Sequence, residues 1–339
     1  MTATKDLQNA GRGVALMQDP PQDPGIGEAI STELRNATFA ASFRTNSGEM
    51  RRVPISLALF ERIRASDDGL GHILDIEEAY EINLGNYVDF ERGVTAHLAK
   101  ELVHPAFDYP AIDDARRTVG RLLDNLLSSS FSFLEQTRRR MTRLGGRPLF
   151  DAFRTACADL EARFPVLLLM EAIRNHAQHD GSGVSGITLG GRRLEEGDDF
   201  VVERTLIATF RKDEVQIDRK WPAERKARLV ALLAELADDK GRIQMGPMVR
   251  RYLQAMSEVL AAARALFAER QADWCQANHE ALVALDDVED KGIAHQIVRL
   301  RGARVVEAHQ IVHFNVDRIE RLQNRNKVLN GLPRARIIS

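Results

Sequence analysis

The run ARRTVGRLLDNLLSSSFSFLEQTRRRMTRL, closing on Gly145-Gly146, constrains this chain more than any other stretch of it. Val119, Leu122, Leu123, Leu126, Leu127, Phe131 and Leu134 recur at steps of three and four residues, which puts them on one stripe of an α-helix. Asp113 and Asp114 are available as N-caps, and the glycine pair is a stop signal. A long helix with one apolar face must bury it on other helices, and two follow directly. PLFDAFRTACADLEARF sets Leu149, Phe150, Phe153, Cys157 and Leu160 on one face. Pro165 then opens a third helix whose core face is Val166, Leu169, Met170, Ile173 and Ala177, with Asp180-Gly181 as its end. Three helices on short joints predict an antiparallel bundle.

The remaining segments arrange themselves around that bundle. GSGVSG is a flexible joint, and the alternation in DDFVVERTLIATF with a β-capable EVQID predicts a hairpin excursion at about 187–218. Helices resume at Pro222 with ERKARLVALLAELA, and continue in GPMVRRYLQAMSEVLAAARALFAERQADW, spaced to pack back on the bundle. Residues 1–26 have no periodicity and read as a flexible leader. TFAASFR and RRVPISLAL flank the polar turn TNSGEM as a strand pair, or a strand entering a short helix, and 57–65 and 92–103 are helical in pattern. The expected organisation is therefore a small α/β region at 27–110, a helical domain at 111–290, and a short β segment with a polar tail at 291–339. The fold class is mainly α.

Composition narrows the function classes. The 339 residues carry a formal net charge of -2, so no global positive field coats nucleic acid. Cys157 and Cys275 stand far apart without metal-ligand spacing, which suits a reducing cytoplasm. The N-terminus lacks the basic-then-apolar order of a signal peptide, and the longest apolar run, Pro165 to Met170, is too short to span a bilayer.

The third helix ends in a combination that packing alone does not call for: FPVLLLMEAIRNHAQHDG. An arginine followed five positions later by a histidine occurs three times, at Arg92/His97, Arg174/His179 and Arg304/His309. Only the second has an asparagine after the arginine, closes a strongly apolar helix, and follows a long amphipathic helix ending in glycine. Cleaving RNA without a metal needs a base for the 2′-hydroxyl, an acid for the leaving 5′-oxygen, and positive charge against the phosphorane. His179 can serve as base or acid. Arg174 offers a permanently charged fork, and Asn175 an amide that orients the phosphate or the imidazole. One imidazole does not readily act as acid and base together, so the chemistry favours two copies facing across a two-fold axis. The alternative is structural: His179 at the helix C-terminus, where the dipole favours a cation, with Arg174 solvated.

EAIRNHAQHDG after one long and one shorter helix resembles the HEPN superfamily, the helical domains of many toxin, abortive-infection and CRISPR-associated ribonucleases. Their signature is an arginine, four to six intervening residues and a histidine, commonly with a polar residue after the arginine; Arg174, Asn175 and His179 fall on those places. The resemblance covers 111–181, with helices after 222 as candidates to complete the bundle. It implies a four- to five-helix bundle that dimerises into a composite, metal-independent endoribonuclease, with no cofactor, acting as a toxin or defence effector and answering to an antitoxin or activating partner. Some members of the superfamily lack nuclease activity, so a nucleotide- or protein-binding helical module is the competing expectation.

Other residues stand as candidates beside that trio. Arg138, Arg139, Arg140, Arg143 and Arg147 form either a track for RNA phosphates or a solvated helix end. His176, between Asn175 and His179, either lines the site or sits on the surface. His309 and His313 have helical zinc-pair spacing, but Gln310 holds the place of a peptidase's glutamate and the segment also fits a strand. LEEGDD reads as a solvated acidic loop ahead of the hairpin, and Ser128–Ser132 as helix packing against a neighbour.

Overall fold

In the computed structural model, residues 38–45, 48–104, 109–179, 181–196, 199–215, 217–286, 295–332 and 337–338 are described; the leader expected at 1–26 lies outside them. Strands β1 (Phe39–Arg44) and β2 (Met50–Pro54) pair antiparallel around the expected polar turn. Ser56 then caps helix α1, its hydroxyl accepting the Leu59 N–H at 3.1 Å. From Leu57 to Val103 α1 is one continuous helix where the sequence pattern gave two short pieces. Gly69, Gly71, Gly85 and Gly93 weaken its intrinsic propensity, and at Gly69 and Gly93 close packing compensates. A Cβ on Gly69 would lie 2.3 Å from the Trp274 ring, and one on Gly93 would lie 2.2 Å from Leu122.

Helix α2 (Tyr109–Arg163) is bent into two arms at Gly145 and Gly146. Gly146 has φ 67°, a left-handed conformation that favours glycine, and Arg270 donates to the Leu144 carbonyl exposed at the break. The helix begins before the expected caps, so Asp113 instead accepts from Arg116 at 2.9 Å and pairs with Arg117 at 2.8 Å. Helix α3 (Val166–His179) follows, then α4 (Ala223–Leu236), α5 (Met245–Asp286) and α6 (His313–Arg325).

Side-chain pairs give the directions. His72 meets Arg140, Asn83 meets Ser130, and Gly93 meets Leu122, so α1 and the first arm of α2 run antiparallel. Ser66 meets Asn278, Glu77 meets Arg264, and Glu91 meets Arg250, so α5 is antiparallel to α1 as well. The main apolar core is shared by α1 to α6 and strand β4, from Leu70 and Ile73 through Leu123, Leu169 and Met256 to Ile319. At its centre Glu77, fully buried, accepts from Arg264 at 2.8 and 2.6 Å, and Arg264 also donates to the Asn326 carbonyl at 2.7 Å.

The expected hairpin is present as β3 (Gly186–Glu196) and β4 (Asp199–Arg211), in register from Gly186 opposite Thr209 to Glu196 opposite Asp199. Of LEEGDD, Leu194–Glu196 end β3 and Asp199 opens β4, so the cluster does not precede the hairpin; residues 197–198 lie outside the described residues. Among the described residues EVQID adds no strand: Lys212–Glu214 is a 3-10 turn. Short strands β5 (Arg242–Gln244) and β8 (Ile337–Ile338) pair with β4. A second sheet, ordered β2-β1-β6-β7, joins the two ends of the chain through β6 (His295–Arg301) and β7 (Arg304–Gln310). Ala41, Phe43 and Ile297 of this sheet pack on Phe60, Ile63, Ala277 and Ala281 as a smaller core.

The sequence division at residue 110 has no counterpart in this packing. Most of α1 belongs to the main core, and the N-terminal strands are completed by strands some 250 residues later. The polar tail, in turn, contains α6, held on α1 by Arg318–Glu78 at 2.6 Å. Among the described residues no helix is long and apolar enough to cross a membrane.

Candidate anion site at the end of helix α3

Helix α3 is apolar on the side that meets the bundle, with Leu168, Leu169, Met170, Ala172 and Ile173 all fully buried. Its last turns therefore sit against neighbours, and each polar residue there has a definite setting. Arg174 is half-buried and lies flat on Phe131 of α2, its guanidinium carbon 3.6 Å from the ring centroid. Its Nη1 donates to Asn175 Oδ1 at 3.4 Å, a long bond, and its Nε is sealed from solvent without a hydrogen-bond partner. Burial lowers the Arg174 pKa from the usual arginine value, against the opposing fields of Glu171, Tyr252 and Glu135.

Those two carboxylates do not pair with Arg174 because other arginines hold them. Glu171 is taken by Arg225 at 2.6 Å, and Glu135 by Arg138 at 2.5 Å. Arg225 also binds Glu161 at 2.6 Å and lies over the Trp221 ring at 4.0 Å, which anchors α4 to α2 and α3. Tyr252 is buried, and burial pushes its phenol up to about 12, so it stays neutral beside Arg174. The result is a stacked guanidinium with donor capacity to spare and no carboxylate of its own among the described residues. Such a group is ready for an oxyanion.

His179 is exposed, as the last residue of α3. Five positions separate it from Arg174, which turns it about 140° around the helix and advances it about 7.5 Å. Arg174 and Asn175 are thus joined by their bond, whereas His179 is turned away from Arg174 within one copy and lies one turn beyond Asn175 on the same helix face. His176, expected to line the site or the surface, is buried instead. Its ring meets Phe210 of β4 edge-on at 5.2 Å, and its carbonyl accepts the Gly181 N–H at 3.3 Å. The turn after it is tightly seated: Gly183 N–H donates to Asp124 at 3.1 Å, and a Cβ on Gly120 would lie 2.2 Å from Ser182 Oγ. His176 belongs to that seat, out of reach of an RNA strand.

The five arginines around the α2 break, four on the first arm and Arg147 just past the glycines, also divide. Arg138 is held by Glu135, Arg140 by Asp75 at 2.6 Å, and Arg147 by Asp151 at 2.8 Å. Arg139 and Arg143, four apart on one helix face, are exposed. The expected track shrinks to these two. Ser130 is buried and donates to Asn83 Oδ1 at 2.6 Å, a packing role as expected for that serine run. His309 lies on β7 with its Nε2 3.0 Å from Glu307, whereas His313 starts α6, so the helical zinc spacing is not realised.

Comparison with known proteins finds no matching family model, no matching curated protein and no matching solved structure.

The sequence pattern makes Phe131 one more core residue of the α2 stripe, whereas in the structure its ring lies under Arg174. Only the arginine and the aromatic each at a helix face pointed to it, and nothing in sequence separation did. Arg138 and Arg225, which keep carboxylates off Arg174, carried no signal of that role.

Proposed function

We propose that this chain is a metal-independent endoribonuclease of HEPN type, active as a homodimer and serving as a toxin or defence effector. The observation that carries the reading is Arg174: stacked on Phe131, with an unbonded Nε and its neighbouring carboxylates engaged elsewhere. Arg174 stabilises the phosphorane and Asn175 orients the phosphate. An exposed His179 from one copy removes the 2′-hydroxyl proton, and that of the second copy protonates the leaving 5′-oxygen. The 2′-oxygen forms the new bond to phosphorus as the 5′-oxygen bond breaks, which leaves a 2′,3′-cyclic phosphate and a 5′-hydroxyl. Arg139 and Arg143 supply salt-dependent contacts to the strand. The test is incubation of the purified chain with RNA in excess EDTA, with end-group analysis of the products. Cyclic phosphate ends formed without metal support the reading; products with 3′-hydroxyl and 5′-phosphate ends, or activity abolished by EDTA, reject it.

The turn of about 140° between Arg174 and His179 favours a second reading, a nucleotide-binding module that uses Arg174 and Asn175 alone. It gives saturable nucleotide binding weakened by Arg174→Ala, with the RNA left intact.

A further inference from the structure

A second unpartnered guanidinium lies on β4, six residues before the Phe210 that covers His176. Arg204 is half-buried, its Nε is closed to solvent without a hydrogen bond, and it forms no ion pair among the described residues. Its side chain crosses the neighbouring strand at Gly191, where a Cβ would come within 2.9 Å of Arg204 Nη1. Arg204 lines a cavity of about 60 Å³ between α1, β4 and the start of α5, and it shares a strand face with the lining residues Leu206 and Ala208. Arg250 lines the same cavity, with its side chain 14% exposed and tied to Glu91 at 3.2 Å. Glu91 also accepts from the Tyr87 hydroxyl at 3.1 Å, so it is fixed in place. Phe90, Leu98, Leu206 and Ala208, all buried, line the rest.

We infer that this cavity binds a short-chain carboxylate, with the carboxyl group on Arg204 and the hydrocarbon on the apolar lining. Two guanidinium groups against one carboxylate leave a single positive charge, which matches a monoanion. Gly246 at the start of α5 lines the same opening and leaves it unobstructed by a side chain. The size sets the class of ligand. Pockets for drug-sized molecules run to ~300–1,000 Å³, so this one takes an acid group and a few carbons, not a nucleotide. A phosphate dianion would carry more charge than the cavity balances and would leave the apolar lining bare. The site is separate from the α3 trio, and its occupancy does not depend on the ribonuclease reading.

Calorimetric titration of the full chain with acetate, propionate, hexanoate and inorganic phosphate tests the inference. Saturable binding is expected for acetate and propionate, with a Kd on the order of a millimolar for so few ligand atoms, and hexanoate is expected to bind more weakly because its chain exceeds the cavity. Arg204→Gln is expected to weaken propionate about tenfold or more by removing the charged donor. Gly191→Ala, which keeps every charge but crowds the Arg204 guanidinium, is expected to weaken it as well. Circular dichroism of both variants separates a lost site from a lost fold. No saturable binding of any carboxylate, phosphate binding as tight as propionate, or affinity unchanged in a folded Arg204→Gln variant would each overturn it.

Discussion

Arg264 and Arg174 are both partly buried guanidinium groups on helices of one bundle, yet they are handled in opposite ways. Arg264 gives two bonds to the buried carboxylate of Glu77 and a third to the Asn326 carbonyl. Arg174 has an aromatic ring beneath it, one long bond to its neighbour's amide and an unbonded Nε. The first group is satisfied by the fold and fixes α1, α5 and α6 together. The second is positioned by the fold but left unsatisfied by it. A folded chain gains little from that arrangement, which is what marks Arg174 as a group held ready for something else.

The largest expected difference lies in activity. Arg174→Ala or His179→Ala should lower RNA cleavage by about 10²–10⁴-fold, the range for losing one electrostatic or acid–base group. Arg174→Ala should cost about 1 kcal/mol or less in urea unfolding, since the stacking on Phe131 is worth little more than that. Arg264→Ala should reverse the pattern. It strands the buried Glu77 charge and should lower stability by about 3–5 kcal/mol, with cleavage per folded molecule preserved at low temperature. Equal stability losses at the two arginines would erase the distinction.

Phe131→Leu sharpens the same contrast. It keeps apolar volume but removes the flat surface under Arg174, so cleavage should fall about tenfold while unfolding shifts by about 1–2 kcal/mol. An activity unchanged by this substitution would show that the ring does not position the guanidinium.

The pattern of helices was legible because it rests on period and punctuation. The α2 stripe, the glycine break, the Pro165 and Pro222 starts and the hairpin alternation all survive in the fold. What could not be read depends on distance along the chain. Gly69 and Gly93 look like helix breakers until Trp274 and Leu122 are seen against them. The β1–β6 pairing joins segments with no local trace of each other. At the candidate site the types of residue were legible, but their settings were not. His176 and His179 are one turn apart in sequence; Phe210, from a hairpin strand, buries the first and leaves the second to solvent.

The smallest effect expected is a pH dependence from the structural side of the bundle. Burial, then the charges of Arg140 and Arg143, hold the His72 pKa below its usual 6.5, and Arg140 donates to its Nδ1 at 3.3 Å. Between the lowered folded value and 6.5 the unfolded chain binds more protons, so stability is full above that window and falls as pH drops through it. His72→Gln should flatten that part of the stability profile, measured by thermal unfolding from neutral to mildly acidic pH, without changing the acid limb set by carboxylates.

The account depends most on two copies bringing His179 to one phosphate. Cross-linking tests this directly, with His179→Cys in a chain whose Cys157 and Cys275 are replaced by alanine, treated with a short bifunctional thiol reagent. A covalent dimer should form efficiently at 179 and poorly with a cysteine at the exposed position Arg92. A dimer that links at the control position but not at 179, or RNA cleavage by a chain that stays monomeric, would contradict the composite site.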